Sequence, residues 1–461
     1  MTGKPFFNAF WLVLALGAAL AHGLPRGIEC PKQLAGARYV AIVDPYSSGA
    51  ELAPRIREMG REPLWVQSTP EALASFRGSL RPGDFAPDAR IIHRGDLAET
   101  AGQLARLGVR AVITGSDPGV ELAEDLRTAM ALRGNDPRLA PARRSKFLMH
   151  EELRLQGLAH AKQILSSDIE QILAWARREN EGRWPIVIKP IDSSGGEGVA
   201  ICSDEASARN AFAAIHGKPN KRGAVNREVL AQEYLDGTEY IVDLVFHDGQ
   251  ALVTDLWRYH KGFIGRDTGG SALFYDRDEL LDFEGPIQSA LSRYGIQAGL
   301  ALGMRNGAAH LEIMMTARGP VLVELNARMI GGHGVDVIRE VVGISPVELQ
   351  LEMYLQPERF RERLRGAWPL VRRKYASVVQ LVTPASGKLG ALPLLDSVRA
   401  LPSFFRLNLS VKPGDPLTRT VDLNSSPGDL LLVHDDEEVL MRDFHRLREW
   451  EKGGRFYVLE R

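Results

Sequence analysis

The chain has 461 residues, of which 44% are hydrophobic and 25% are charged, and its formal net charge at neutral pH is -1. A chain this long folds as about two to four domains, and the composition is that of a soluble globular protein. The near-neutral charge gives no reason to expect nucleic acid or an anionic membrane as a partner. With only Cys30 and Cys202, the chain has neither a disulfide framework nor a cysteine-rich metal site.

The first 36 residues form an N-terminal extension. Residues 6–21 are apolar, follow Lys4 and end in an Ala-x-Ala pattern, which is typical of a secretory signal peptide and short for a membrane span. The alternatives are an extension that packs on the protein and a start site that is wrongly assigned.

Residues 37–140 alternate between apolar strands and helical stretches. The first strand lies in ARYVAIVDPYSSG, and later strands lie in PLWVQS, ARIIHRG and VRAVITGS, each separated from the next by a helical stretch. This alternation predicts a parallel, doubly wound sheet. The SSG after the first strand is interpreted as a helix start, with a substrate contact as the alternative.

A Ser/Gly-rich loop follows at WPIVIKPIDSSGGEGVAICSD, residues 184–204, between a strand that ends at Lys189 and a second strand after Gly198. In the common Gly-rich phosphate loop the lysine follows the glycines and a helix comes next; here the lysine precedes them and a strand comes next. Hydroxyls and backbone amides of such a loop can close over a polyphosphate, with Lys189 supplying charge. A plain surface loop is the alternative.

A β-hairpin is predicted from AHLEIMMT and GPVLVELN, with Ala317, Arg318 and Gly319 as a three-residue loop. In that register Thr316 lies opposite Pro320, Glu312 opposite Glu324 and His310 opposite Asn326. The predicted apolar face carries Leu311, Ile313, Met315, Val321, Val323 and Leu325, and Met314 and Leu322 fall on the polar face.

The polar face of this hairpin carries Glu312, Glu324, Asn326 and Arg328. Opposed carboxylates repel one another, so a cationic group should lie between them. Carboxylate and amide oxygens are ligands that suit magnesium or manganese. A solvated outer sheet face is the alternative.

The order of these blocks resembles the ATP-grasp superfamily over residues 37–345. Lys146 begins a helix in PARRSKFLMHEELRLQG, Lys189 precedes the Gly-rich loop, REVLAQEYLDGTEYIVDLVF carries Glu239, and the hairpin carries Glu312 and Glu324-x-Asn326. GMRNGAAHLEIMMTARGPVLVELNARMIGGHG, DPYSSG and RDTGGSALFYDRDEL are similar to L-amino-acid ligases that make dipeptides, the group of the bacilysin-type alanine-anticapsin ligase.

The resemblance implies a role for each matching position. Lys146 and Lys189 would hold the α- and β-phosphates of ATP, and Glu312, Glu324 and Asn326 would bind magnesium or manganese. Arg328 would lie beside the transferred phosphoryl group, and Arg328 and Lys189 are the predicted catalytic residues. The remaining ATP contacts implied are Ser193, Ser194, Gly195, Gly196 and Gly198 over the triphosphate, Glu233, Tyr234 and Leu235 at the adenine edge, and Glu239 at the ribose hydroxyls. Substrate contacts are predicted at Arg328, Gly331, Gly332 and His333, where the two glycines leave room for a bulky side chain or form a turn into a helix around residues 335–341.

The implied architecture has five parts: the extension 1–36, a pre-ATP-grasp α/β domain 37–140, a lid 141–240, a central antiparallel domain with the metal site 241–345, and a C-terminal α+β cap 346–461. The implied activity joins two amino acids, or an amino acid and a related acid, through an acyl phosphate, with release of ADP and phosphate. Another ATP-grasp ligation or carboxylation and a catalytically inactive nucleotide-binding regulator are the alternatives. The expected partners are ATP and amino-acid or carboxylic-acid substrates, with a second copy of the chain as a candidate partner. Because ATP is the expected cosubstrate, the cytoplasm is the expected location.

Overall fold

A four-stranded parallel sheet forms the N-terminal part of the computed structural model, which describes residues 38–71, 78–191, 198–220, 225–264, 272–332, 334–367, 370–421 and 423–460. The strand order is β3-β2-β1-β4 and every pair is parallel. Its elements are β1 (Tyr39–Val43), α1 (Leu52–Glu58), β2 (Glu62–Gln67), β3 (Arg90–Ile92), α2 (Leu97–Arg106), β4 (Val112–Thr114) and α3 (Val120–Ala129).

Both faces of this sheet are covered. Val40 and Ile42 of β1 belong to one hydrophobic core, and Ala41 and Val43 belong to another. Successive residues of a strand point to opposite faces, so β1 is buried on both sides, as in a doubly wound sheet. The predicted fold of this region is confirmed.

A second, antiparallel sheet has the order β5-β8-β6-β7. Helices α6 and α7 supply Trp175 and Phe212 to the core beneath it. The elements of this part are α4 (Ala140–Arg144), α5 (Lys146–Leu155), β5 (Gln163–Ser166), α6 (Ile169–Arg178), β6 (Ile186–Lys189), β7 (Ala200–Cys202), α7 (Glu205–Ile215) and β8 (Val229–Glu233).

The main sheet has eight strands in the order β13-β12-β9-β10-β11-β14-β18-β16. Helices α5 and α8 pack on one face and helix α9 on the other. The elements up to residue 364 are β9 (Gly237–His247), β10 (Gln250–Ile264), β11 (Ala272–Leu280), α8 (Pro286–Ala301), β12 (Gly307–Thr316), β13 (Gly319–Asn326), α9 (Gly334–Val342), α10 (Pro346–Leu355) and α11 (Pro357–Leu364).

The sheet continues into the C-terminal part, because β11 pairs with β14. A small sheet of order β17-β15-β19 and helix α13 complete this part around its own core. The elements are β14 (Tyr375–Gln380), β15 (Gly387–Ala391), α12 (Leu395–Arg399), β16 (Phe404–Leu409), β17 (Pro416–Leu417), β18 (Gly428–His434), α13 (Glu437–Lys452) and β19 (Val458–Leu459). The five domain boundaries given above stay a prediction.

The β12–β13 hairpin differs from its predicted register near the turn. Its loop has two residues, so Thr316 lies opposite Gly319 and the predicted pairing with Pro320 is wrong. Glu312 still lies opposite Glu324 and His310 opposite Asn326, as predicted. The predicted and observed registers agree at the end far from the turn, because a β-bulge adds one residue to β13 and compensates for the shorter loop.

The bulge at Val323 also changes which side chains face the core. Leu322 lies opposite Ile313 and is fully buried with it between the sheet and α8, so its predicted place on the polar face is wrong. Val321 lies opposite Met314, so it is on the other sheet face from Leu322 and its predicted place beside Ile313 on the apolar face is wrong. The polar end of the hairpin, beyond the bulge, keeps its predicted arrangement.

In the part of the chain that the structure describes, every helix is too short or too polar to cross a bilayer.

Candidate active site

An ion pair connects helix α5 to the polar face of the hairpin. Ser145 caps the helix, because its hydroxyl accepts a hydrogen bond from the backbone N–H of Leu148 at 3.3 Å. Lys146 follows as the first helical residue, is 9% exposed, and its Nζ lies 2.7 Å from Oε2 of Glu324. A cation therefore accompanies the two opposed carboxylates, as the sequence predicted.

Lys189 lies at the end of β6 and is buried. Burial, and next the charge of Lys146, lower the pKa of Lys189 to about 8, although Glu324, Glu312 and Glu239 act in the opposite direction. The fold thus brings two lysines and three carboxylates, separated by up to 178 residues in sequence, into one electrostatic environment.

Glu324 is held in its ionised form by its neighbours. Burial alone would raise its pKa, but Lys146, the hydrogen bonds from Lys146 and Asn326, and Lys189 lower it to about 2. The amide nitrogen of Asn326 donates to Oε1 of Glu324 at 2.9 Å. Both Glu324 oxygens therefore have donors in this structure.

A buried polar chain supports Glu312 from behind. Nε2 of His310 lies 3.7 Å from Oε1 of Glu312, and Nδ1 of His310 lies 2.8 Å from Oδ1 of Asp243. Burial opposes the charged form of His310, but Asp243 and then Glu312 raise its pKa to about 9. Asp255 lies next to Asp243, and its pKa is raised well above the ordinary value by burial and by Asp243. We refer to Asp255, Asp243 and His310 as the support chain.

Glu239, predicted to hold the ribose, has a partner that the sequence analysis missed. Lys261 on β10 forms an ion pair with its carboxylate. Burial raises the pKa of Glu239 and Lys261 opposes that shift. The sequence does contain one indication of this contact. Lys261, at the end of WRYHK, alternates along the strand with Trp257 and Tyr259, so the three side chains point to the same sheet face.

The predicted adenine contacts lie where β8 gives way to β9. The carboxylate of Glu233 accepts hydrogen bonds from the backbone N–H of Lys162 at 2.9 Å and from Arg318 at 2.8 Å. Tyr234 is 40% exposed, and it and Leu235 lie between the two strands. Arg318 belongs to the hairpin turn, so this segment is tied to the main sheet.

Arg328 and the glycines after it meet the N-terminal sheet. Nη1 of Arg328 donates to the carbonyl of Met329 at 2.8 Å, and its Nε lies 3.9 Å from Oδ1 of Asp117. The backbone N–H of Gly332 donates to Oγ of Ser47 at 2.7 Å. Ser47 and Asp117 follow β1 and β4, and ligands of open α/β sheets bind beyond the carboxyl ends of such strands, where the strand order reverses. The segment of Ser47 was predicted to be a helix start or a substrate contact, whereas no pattern in the sequence pointed to Asp117.

Five predicted site residues lie outside the described residues: Ser193, Ser194, Gly195, Gly196 and His333. Gly198, at the end of the loop, has φ +67°. A Cβ atom there would lie 3.0 Å from the ring of Pro190. Backbone conformation and space both favour glycine at this position.

The donor set fits a magnesium ion that arrives with phosphates. Glu312 and Glu324 are cross-strand partners, and the amide oxygen of Asn326 remains an acceptor because its nitrogen serves Glu324. Among the described residues no group of three or more His, Cys, Asp or Glu side chains could hold a metal. Magnesium commonly binds through one or two carboxylates and substrate phosphates instead of an all-protein cage, so the residues present suit it.

Comparison with known proteins identifies the family. The ATP-grasp domain model matches residues 182–336. Dapdiamide A synthase of Enterobacter agglomerans is 34% identical over 427 residues, which cover 91% of this chain and 97% of that protein. The chain belongs to the ATP-grasp ligases. It is therefore an ATP-dependent enzyme that forms amide bonds, which sets aside carboxylation and a regulator without activity.

Two further relatives agree with this family. The L-arginine-specific L-amino acid ligase of Bacillus subtilis is 24% identical over 239 residues, half of this chain and 55% of that protein. The crystal structure of the L-amino acid ligase from Bacillus licheniformis superposes with a TM-score of 0.71 at 16% identity, over 92% of this chain and 99% of that one. The predicted ATP-grasp fold is confirmed.

Proposed function

We propose that this ATP-grasp ligase joins two amino acids, or an amino acid and a related carboxylic acid, through an acyl phosphate, and that it releases ADP and orthophosphate. The observation that carries the proposal is the arrangement of Lys146, Lys189, Glu312, Glu324 and Asn326. Two lysine cations beside the oxygen donors of the hairpin suit a metal-bound triphosphate whose terminal phosphoryl group is transferred.

The bond changes balance without a protein nucleophile. A carboxylate oxygen of the first substrate attacks the terminal phosphorus of ATP, the bond from that phosphorus to the bridging oxygen breaks, and ADP leaves. The amine of the second substrate then attacks the acyl carbon, phosphate leaves with the electrons of the carbon–oxygen bond, and the amine nitrogen loses a proton.

The residues of this chain position the reactants and balance charge. Lys146 and Lys189 are the proposed contacts of the α- and β-phosphates, and Glu312, Glu324 and Asn326 are the proposed ligands of Mg²⁺ or Mn²⁺. When bound, the metal neutralises phosphate oxygens during transfer. Arg328 is the proposed contact of the substrate carboxylate and its phosphate, held near Asp117 at 3.9 Å.

The remaining ATP contacts carry over as proposals. Glu233, Tyr234 and Leu235 would read the adenine edge, and Glu239 would hold the ribose with Lys261 beside it. The loop from Ser193 to Gly198 would close over the triphosphate, because an acyl phosphate hydrolyses where water reaches it.

The substrate class follows from the relatives and from the room beside Arg328. The names of the relatives describe a dapdiamide A synthase and an L-arginine-specific L-amino acid ligase, and amino acids and related carboxylic acids are the proposed substrates. Gly331, Gly332 and His333 are the proposed substrate contacts. We also propose a homodimer and a cytoplasmic location, where ATP is available.

The test is a product assay with a grid of substrates. The full-length protein is incubated with ATP, magnesium and pairs of proteinogenic L-amino acids, and nucleotides, phosphate and peptides are quantified by chromatography. ADP, orthophosphate and a dipeptide in equal amounts are expected for at least one pair. Stoichiometric AMP and pyrophosphate would contradict the proposal.

A further inference from the structure

Four side chains form a cluster beside the candidate active site. Tyr259 and Lys261 lie on β10, and Tyr275 and Asp278 lie on β11. Lys261 forms an ion pair with Glu239, and the roles proposed above use none of the other three. We refer to these four residues as the β10–β11 cluster.

Strand register places the cluster on the same sheet face as Glu312. Glu312 lies opposite Ile241, which lies opposite Trp257, and directly paired residues share a face. Tyr259 is two residues beyond Trp257 and therefore shares that face. The partners of Tyr259 and Lys261 across β10 and β11 are Asp278 and Tyr275.

The two tyrosine rings form a surface that already holds an ammonium group. Their centroids are 4.7 Å apart and the rings meet edge to face at 70°. Nζ of Lys261 lies 4.9 Å from the centroid of Tyr275. Aromatic faces attract ammonium and guanidinium cations at such distances.

Asp278 supplies a carboxylate to the cluster. Its Oδ1 is buried and has no hydrogen-bond partner within the described ranges. The adjacent Arg277 turns to the other side of the sheet, where it contacts His260, Glu279 and Ser377. Burial, and next the charge of Glu239, raise the pKa of Asp278 to about 8. An ammonium group beside Asp278 would lower that pKa and balance the ionised carboxylate.

We propose that Asp278 and the rings of Tyr259 and Tyr275 bind the ammonium group of the amino acid that supplies the attacking amine, and that this ammonium group passes one proton to the Asp278 carboxylate before its nitrogen attacks. This inference rests on the ligase function proposed above and assigns a subsite to its second substrate. A primary ammonium has three donors and no acceptor, which suits one carboxylate and two ring faces. The charges near the cluster also favour a cation, because burial and then the charges of Glu239, Glu312 and Asp278 raise the pKa of Tyr275.

The experiment compares two nucleophiles in the full-length enzyme. The first is the amino acid that accepts the acyl group best in the substrate grid. The second is hydroxylamine, which is uncharged at neutral pH and traps an acyl phosphate as a hydroxamate without an ammonium subsite. Asp278→Asn removes the charge at nearly constant volume, and Glu279→Gln removes a charge one residue away on the opposite sheet face as the matched control.

For Asp278→Asn we expect the KM of the amino acid acceptor to rise about tenfold or more, as for loss of a charge-assisted hydrogen bond. Its hydroxamate rate should stay within about twofold of the wild type. Glu279→Gln should change both by less than about twofold. If Asp278→Asn does not fold, Tyr259→Leu should raise the KM of the acceptor while Tyr259→Phe, which keeps the ring, should not.

An unchanged acceptor KM in Asp278→Asn would overturn the inference. A parallel loss of peptide and hydroxamate formation would also overturn it, because Asp278 would then belong to the ATP half of the site. A changed magnesium requirement would overturn it too, because Asp278 would then act on a metal. A wild-type enzyme that makes neither peptide nor hydroxamate would overturn the ligase proposal itself, and the subsite with it.

Discussion

The ammonium group of Lys146 lies 2.7 Å from the carboxylate of Glu324, although 178 positions separate the two residues in the sequence. This contact joins the first turn of helix α5 to the polar face of the β12–β13 hairpin. It also neutralises one of two opposed carboxylates.

Replacing Glu324 with Gln should lower turnover by about 100-fold or more while the protein stays folded, because a proposed metal ligand and the partner of Lys146 lose their charge. The measurement is kcat across a magnesium titration, with the thermal unfolding midpoint as the control for folding. Near-normal activity at saturating magnesium would count against the proposed role.

The support chain should act on metal affinity. Asp243→Asn removes the anion beside His310, and we expect about a tenfold loss of activity and a higher magnesium concentration at half saturation, as for partners of metal ligands. Asp255→Asn should change both by less than about twofold, because the oxygens of Asp255 accept hydrogen bonds from Thr254 and Trp257, and Asp243 lies on the strand between Asp255 and His310. Equal losses in the two variants would favour a purely structural role for the chain.

Nucleotide binding should take up part of a proton near pH 8. Burial and the charge of Lys146 lower the pKa of Lys189 to about 8, and phosphate anions beside it would raise that value. A partly deprotonated lysine therefore gains a proton on binding, and the affinity falls as the pH rises through this range. Calorimetric titration with MgADP in two buffers of different ionisation enthalpy measures the uptake. Lys189→Arg, which stays protonated, is the matched control and should lose the proton uptake while retaining binding. Buffer-independent heats in the wild type would contradict the prediction.

Gly331 should limit the size of the substrate. A Cβ atom at Gly331 would contact only Oγ of Ser47, at 3.8 Å. Gly332 has φ +73°, so any side chain there would strain the backbone. Gly331→Phe should therefore lose large amino acids and retain Ala or Gly, and Gly332→Ala should reduce activity for all substrates alike. Steady-state rates across small and large amino acids distinguish the two, and equal losses for every substrate in Gly331→Phe would indicate a turn and not a pocket.

Local patterns in the sequence predicted much of this fold because they depend on short-range periodicity. Alternation of apolar and polar residues placed Glu312 opposite Glu324 and predicted a cation between them. The same patterns missed the bulge at Val323, because a three-residue loop and a two-residue loop with a later bulge give the same register at the far end of the hairpin.

Contacts between distant segments were beyond those patterns. Lys261 meets Glu239 across neighbouring strands, and Asp117 approaches Arg328 only after the N-terminal sheet has docked on the main sheet. No local spacing encodes such meetings, so the lysine that meets Glu324 could be named only through a family resemblance. Asp278 likewise differs from an ordinary strand carboxylate through its buried Oδ1 atom and its neighbours.

The most direct test of the proposed acyl phosphate is the fate of a carboxylate oxygen. An amino acid labelled with ¹⁸O in its carboxylate is supplied as the acyl donor with ATP, magnesium and the acceptor, and the released phosphate is examined by mass spectrometry. Formation and aminolysis of an acyl phosphate transfer one labelled oxygen to each phosphate that is released with the peptide. Unlabelled phosphate, or label recovered in AMP, would contradict the mechanism.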